Sequence, residues 1–211
     1  MIELDIFSDT VCPWCYIGKK RLEKAINDHK NIEFKQTWRP FQLNPGMPPD
    51  GMDRQEYLIS KFGSADAAKT IYDNIYDEGL LEGINFNFDS IQTTPNSFNS
   101  HRLLALAYKQ GIQENVLDSL FESYFLNGED IGDPNILLDI AIKHQIDDED
   151  FKTYLSDQEN IEPLANEEIE ARKMGINSVP TFIVNKQIVI NGAQTSENFD
   201  IIFKKLTSNI N

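Results

Sequence analysis

The sequence predicts an α/β protein in which a βαβ unit and a later ββα unit flank a large helical block. Three observations carry that prediction. Apolar and polar residues alternate near the start of the chain, as in half-buried strands, and two β-rich runs stand near its end; apolar residues recur three and four apart through the middle, as on amphipathic helices; and the stretch from Asn44 to Gly51 is too rich in Pro and Gly for regular structure. The chain has 211 residues, 40% of them hydrophobic and 25% charged, enough for one large domain or a domain with an insertion.

Taken in order, Ile2, Leu4 and Ile6 alternate with Glu3 and Asp5 and form a first strand. Leu22, Ala25, Ile26 and His29 then repeat at helical spacing, while Lys19, Lys20, Glu23, Lys24 and Asn27 face elsewhere. Ile32 and Phe34 alternate with Glu33 and Lys35 and lead to Trp38, which predicts a second strand to about Arg39. A helical crossover makes the two strands parallel. The segment Trp38 to Leu43 therefore emerges on the same edge as the start of the crossover helix.

From about Asp53 to Gly175 the chain reads as helices. Ile71, Tyr72, Ile75 and Tyr76 form one apolar face, Val116, Leu117, Leu120, Phe121, Tyr124 and Phe125 a second, and Ile136, Leu137, Ile140 and Ala141 a third. These are core stripes. Capping-type residues from Thr94 to Ser100 start a further helix, and His101 is read as capping or packing before it is read as a ligand or proton carrier. Between Ile146 and Ala171 ten acids face Lys152 alone, the pattern of solvated helix faces. Ser178 to Asn185 and Gln187 to Asn191 then form a hairpin that Pro180 opens, and Ser196 is expected to cap a last helix carrying Phe199, Ile202, Phe203 and Leu206.

With 19 basic against 34 acidic residues the net charge is −15, which repels phosphate backbones and anionic lipid, so neither nucleic acid nor a membrane is expected as partner. The opening Met1 to Phe7 carries acids where a signal peptide needs a basic start, and nothing downstream approaches the roughly 20 apolar residues of a membrane span. A cytoplasmic location is the expectation.

The chain's two cysteines stand as Cys12-Pro13-Trp14-Cys15. Chance would give two cysteines that spacing roughly one time in a hundred. In a reducing compartment such a pair cycles between dithiol and disulfide or holds metal. Zinc needs about four ligands, whereas this chain has no second CxxC and only His29, His101 and His144, far apart in sequence, so no metal is expected. Strand, CPWC and helix in succession put the cysteines in the helix's first turn, where Pro13 suits the first helical position. There the free N–H groups and the positive end of the dipole favour a Cys12 thiolate, a ready nucleophile and a good leaving group. Cys15, one turn on, points inward as the resolving thiol. Trp14 offers an apolar face beside the sulfur or packs the helix.

Together, Cys12 to Gly18, Trp38 to Leu43, His101-Arg102-Leu103, Gly175 to Phe182 and Gly192-Ala193-Gln194 resemble the DsbA-like branch of the thioredoxin superfamily, and within it the cytosolic FrnE-like group, relatives of the 2-hydroxychromene-2-carboxylate isomerases and kappa-class glutathione transferases. The resemblance covers nearly the whole chain. It implies a thioredoxin-like domain from 1–43 and 176–211, interrupted by a helical insertion domain from 44–175. It also implies that the Val179–Pro180 bond is cis, with Pro180 against the CPWC sulfurs and the Val179 backbone free to pair with a substrate. The isomerase and transferase relatives have a serine where Cys12 stands, and the exported oxidases have a histidine where Trp14 stands. A neutral Trp14 adds no positive charge beside the sulfur, which predicts a less extreme oxidant than those oxidases.

The expected function is a cytosolic thiol–disulfide oxidoreductase, with Cys12, Cys15 and Pro180 as catalytic residues and Pro13, Trp14, Val179, Phe41 and Leu43 contacting substrate under the helical block. Its partners are protein or small-molecule thiols and disulfides. No bound cofactor is needed, because the electrons reside on sulfur and glutathione or a thioredoxin system can supply or remove them. Two alternatives stand beside it: a glutathione-dependent isomerase or transferase of a small organic substrate, and a chaperone-like binding module whose cysteines sense oxidation. Glu3, Asp5, Glu33 and Lys35, on the predicted strands, are the candidates for a group that accepts the Cys15 proton.

Overall fold

The structure, a computed structural model, describes residues 1–208. Strand β1 (Ile2–Ser8) runs into helix α1 (Pro13–Asp28) and strand β2 (Phe34–Pro40). The middle of the chain carries a two-residue strand β3 (Met52–Asp53), helices α2 (Arg54–Phe62) and α3 (Ala65–Leu81), a second short strand β4 (Thr93–Thr94), and helices α4 (Phe98–Lys109), α5 (Gln113–Phe125), α6 (Pro134–Lys143), α7 (Asp148–Ser156) and α8 (Ile161–Lys173). Strands β5 (Thr181–Val184) and β6 (Ile188–Asn191) and helix α9 (Ser196–Ser208) close the chain.

The main sheet has the order β2-β1-β5-β6, with β2 parallel to β1 and β5 and β6 antiparallel. Ile6 pairs with Trp38 on one side and Phe182 on the other, so Ile2, Leu4, Ile6, Trp38, Phe182, Val184 and Ile190 share one face. Helices α1 and α9 cover it. Phe203 packs on Phe34 at 4.8 Å between ring centroids and Phe199 on Phe182 at 4.9 Å, each buried side chain adding about 1.5–3 kcal/mol. On the other face Phe7 clusters with Phe41, Ala171 and Ile176, so α8, although it lies within the helical segment, closes the sheet's second side. Both faces need cover because β1 carries apolar side chains on each, Ile2, Leu4 and Ile6 on one and Phe7 on the other.

The hairpin turns through Asn185, Lys186 and Gln187: Gln187 N–H donates to Val184 O at 3.0 Å, and the two residues between them, Asn185 and Lys186, are both left-handed with φ of 49° and 57°. Asn185 Oδ1 also accepts the Glu3 N–H at 2.9 Å and ties the turn to β1. At the opposite edge of the sheet the Gln113 side chain acts as a strand partner: its Oε1 accepts Trp38 N–H at 3.0 Å and its Nε2 donates to Trp38 O at 2.9 Å. The helices join the same hydrophobic core as the sheet. Tyr16 of α1 stacks on Phe121 of α5 at 4.9 Å, and Lys19, 1% exposed, pairs with Asp118 at 2.8 Å.

Several expectations are corrected here. The 53–175 segment is not purely helical: β3 and β4 pair with Met52 opposite Thr94, in a ribbon too short to show any periodicity. Ile71 is 39% exposed, so the first apolar stripe buries only Ile75 fully, because α3 has no neighbour on its outer side. Lys19 belongs to the buried side of α1 because α5 brings it a carboxylate. Ser196 is the first helical residue of α9, and Thr195 Oγ1 accepts the Asn198 N–H at 3.4 Å in the capping position. Of the acid run, Glu167 and Glu168 pair with Arg39 and Arg172 instead of facing solvent alone. Among the described residues no helix is long and apolar enough to cross a membrane.

Candidate active site

Cys12 occupies the N-cap position of α1, with extended backbone and no side-chain cap, and Pro13 is the first helical residue. A cap with no oxygen leaves the first-turn N–H groups directed at whatever approaches the sulfur. No acidic residue stands in that turn to compete for them. The turn is held by its own backbone: Asp9 O accepts Cys12 N–H at 3.1 Å, and Cys12 O accepts Cys15 N–H at 3.0 Å. Both cysteines are free thiols. Cys12 is 4% and Cys15 0% exposed.

The second element of the site is the loop before β5, where the Val179–Pro180 peptide is cis. Cys12 Sγ donates a long 3.8 Å contact to Val179 O. Close approach of α1 to this loop depends on Gly18, since a Cβ there would lie 3.0 Å from Pro180 Cγ and 3.3 Å from Phe182 Cζ. The absence of a side chain at Gly18 lets the helix lie against the Pro180 ring.

Burial pushes the Cys15 thiol well above the ordinary cysteine range, and the neighbouring Cys12 sulfur pushes it the same way. The Ser8 hydroxyl and the Asp9 backbone act in the opposite sense, favouring the ionised form. Ser8 Oγ is itself buried with no hydrogen-bond partner. A sealed thiol that ionises only with local help is suited to the second step of an exchange, after the sulfur at the helix N-cap has reacted.

Beneath the turn lies Asp9, 0% exposed. Its Oδ2 accepts Leu43 N–H at 2.6 Å and its Oδ1 stands 3.4 Å from both Val11 N and His101 Nε2. Next to it Thr10 Oγ1 and Ser100 Oγ are 2.7 Å apart. The helical block thus reaches the cysteine turn through α4. None of the four strand residues considered for a proton acceptor is buried: Glu3 and Asp5 are intermediate, Glu33 and Lys35 exposed, and Asp5 pairs with Arg39 at 2.8 Å. The buried acid beside the cysteines is Asp9, which sequence reasoning missed because it falls in a turn where periodicity carries no information. His101 is buried against that acid and caps no helix.

Trp14, Leu43 and Val179 are half-buried, Val179 through its carbonyl in contact with Cys12 Sγ, while Pro13 is buried. Phe41 is corrected: it is 1% exposed, with the Arg172 guanidinium 4.2 Å from its ring centroid, so it packs the sheet's second face and presents no contact surface. A cavity of about 510 Å³ lies between α2 and α3 and one of about 380 Å³ beside the outer edge of β2; neither is lined by Cys12, Cys15 or Pro180. Among the described residues no three His, Cys, Asp or Glu side chains group as metal ligands would.

The family of the DSBA-like thioredoxin domain matches residues 3–203. This chain belongs to that family. Among its relatives, the DsbA-like protein is 27% identical over 208 residues to the uncharacterized protein YwbO of Bacillus subtilis, covering 94% of each chain. It is similar to the crystal structure of the probable DsbA oxidoreductase SCO1869 from Streptomyces coelicolor, with 28% identity, 97% of this chain and 89% of that chain covered, and a TM-score of 0.87. It also shares its fold with the cytosolic disulfide reductase DsbM from Pseudomonas aeruginosa with GSH, at 15% identity, 98% and 99% coverage and a TM-score of 0.69. The thioredoxin fold with helices inserted is thereby established for this DsbA-like chain.

Proposed function

We propose that this DsbA-like protein is a cytosolic thiol–disulfide oxidoreductase working through Cys12 and Cys15. The observation that carries the reading is the cysteine pair itself: two free thiols in the first turn of α1, one against the Val179 carbonyl and the other sealed beneath it. The Cys12 thiolate attacks one sulfur of a substrate disulfide; its electron pair makes the new S–S bond, and the pair of the broken bond leaves on the other substrate sulfur, which takes up a proton. Cys15 gives up its proton and attacks Cys12 Sγ, and the second substrate sulfur leaves with the bond pair. The substrate gains two electrons and two protons, and the protein ends as the Cys12–Cys15 disulfide. Run backwards, the same steps oxidise a substrate dithiol.

Pro180 and the Val179 backbone position the substrate, and Trp14 and Leu43 supply apolar contact to an unfolded chain or a small disulfide. Glutathione or a thioredoxin system resets the pair; the glutathione named with DsbM supports the former. No bound cofactor takes part.

The test is trapping with glutathione disulfide. Cys15→Ser accumulates one glutathionyl group on Cys12, visible by mass spectrometry, whereas Cys12→Ser takes up none. A tight glutathione site with activity on a small organic substrate that survives Cys15→Ser would replace this reading with the glutathione-dependent isomerase or transferase, and suppression of aggregation that survives loss of both cysteines would point to the binding module.

A further inference from the structure

A carboxylate removed from water needs a countercharge or a full set of hydrogen bonds. Asp9 is 0% exposed and receives the Leu43 N–H at 2.6 Å and a long bond from Val11 N–H at 3.4 Å. Among the described residues, the one group able to carry positive charge within 4 Å of it is His101 Nε2, 3.4 Å away on a side chain 3% exposed. His101 Nε2 in turn is buried with no hydrogen-bond partner, so the Asp9 carboxylate is the group it faces. The two come from parts of the chain far apart in sequence, the β1–α1 turn and the first turn of α4.

Their place matters because the Asp9 backbone holds the cysteine turn: its carbonyl accepts Cys12 N–H at 3.1 Å. An unbalanced negative charge on Asp9 would oppose a thiolate in the same turn, in a medium that screens it far less than water does. The geometry points to His101 as a positioning residue of the redox centre: it carries the countercharge of Asp9 and so lets the reduced, thiolate-bearing form of the CPWC turn persist. This inference rests on the oxidoreductase reading.

The experiment compares the full chain with His101→Gln and with Asp9→Asn/His101→Gln, equilibrating each in glutathione buffers and timing iodoacetamide alkylation of Cys12. His101→Gln is expected to move the equilibrium about tenfold toward the disulfide, which is about 30 mV for this two-electron couple, and to slow alkylation by a similar factor. The double variant removes both charges and returns both quantities to near the parent values. A His101→Gln equilibrium and rate indistinguishable from the parent would overturn the inference, as would a double variant that keeps the whole shift, since a histidine that only packs is not rescued by neutralising Asp9. If His101→Gln has no cooperative melting transition, the double variant decides: parent-like behaviour supports the countercharge, and a shifted or unfolded protein refutes it. Should the parent show no disulfide transition at all, the oxidoreductase reading falls while the alkylation rates still decide the role of His101.

Discussion

Gly18→Ala tests the contact between helix α1 and the Pro180 loop. In a helix interior, alanine is better than glycine by about 1 kcal/mol. Here the added methyl would stand 3.0 Å from Pro180 Cγ, 3.3 Å from Phe182 Cζ and 3.4 Å from Ala193 Cβ. A proline ring cannot turn aside, and Phe182 is 0% exposed and already packed edge-on against Phe199. Overpacking of this kind costs about 1–3 kcal/mol, so the expected balance is a loss of about 1 kcal/mol, or a fall in Tm of about 2–4 °C for a chain of this size. The loop carrying Val179 O is what must yield. A displacement of a few tenths of an ångström there should slow mixed-disulfide formation by about threefold to tenfold, less than the hundredfold attributed to a 1 Å misplacement. The assays are differential scanning calorimetry and stopped-flow reaction with glutathione disulfide. A Tm that rises by the full helix-propensity gain, with an unchanged rate, would refute the close approach of α1 to the loop.

Gln113→Ala removes both partners of Trp38's backbone at the outer edge of β2; each buried group left unpaired costs about 1–3 kcal/mol, so urea unfolding should show a loss of at least about 2 kcal/mol. Cys15 supplies a pH dependence. Its thiol is held neutral by burial, so the folded chain keeps that proton at pH values where the unfolded chain loses it. The stability it contributes is full below the ordinary thiol value of about 8.5 and declines as pH rises above that toward the folded value. Replacing Cys15 by alanine should flatten the fall in stability between about pH 8.5 and 10, measured by denaturant titration of the reduced proteins.

Much of the fold was legible because its elements carry local patterns: the alternation of Ile2, Leu4 and Ile6, the spacing of Leu22 and Ala25, and the β-branched runs of the hairpin after Pro180 each specify an element by themselves. What periodicity could not convey is which chain segment arrives on the other side. Lys19 reads as surface until α5 brings Asp118 to it, and Phe41 reads as an exposed contact until α8 lays Arg172 over its ring. The cysteines were legible from spacing alone. Asp9 was not, since nothing in a turn reveals that the chain will close over it, and His101 could be noticed as a motif residue without its partner being visible. The role of Gly18, likewise, exists only once Pro180 is folded against it.

The central claim is that Cys12 and Cys15 form a reversible dithiol–disulfide couple, and the most direct test is their reduction potential, equilibrated against glutathione buffers with Cys12→Ser as control. The account predicts a single two-electron transition in the parent and none in Cys12→Ser; a midpoint near −270 mV, about that of thioredoxin, would assign a reductase, and one near −120 to −180 mV an oxidase or isomerase. A parent protein with no reversible transition across that range would contradict the account.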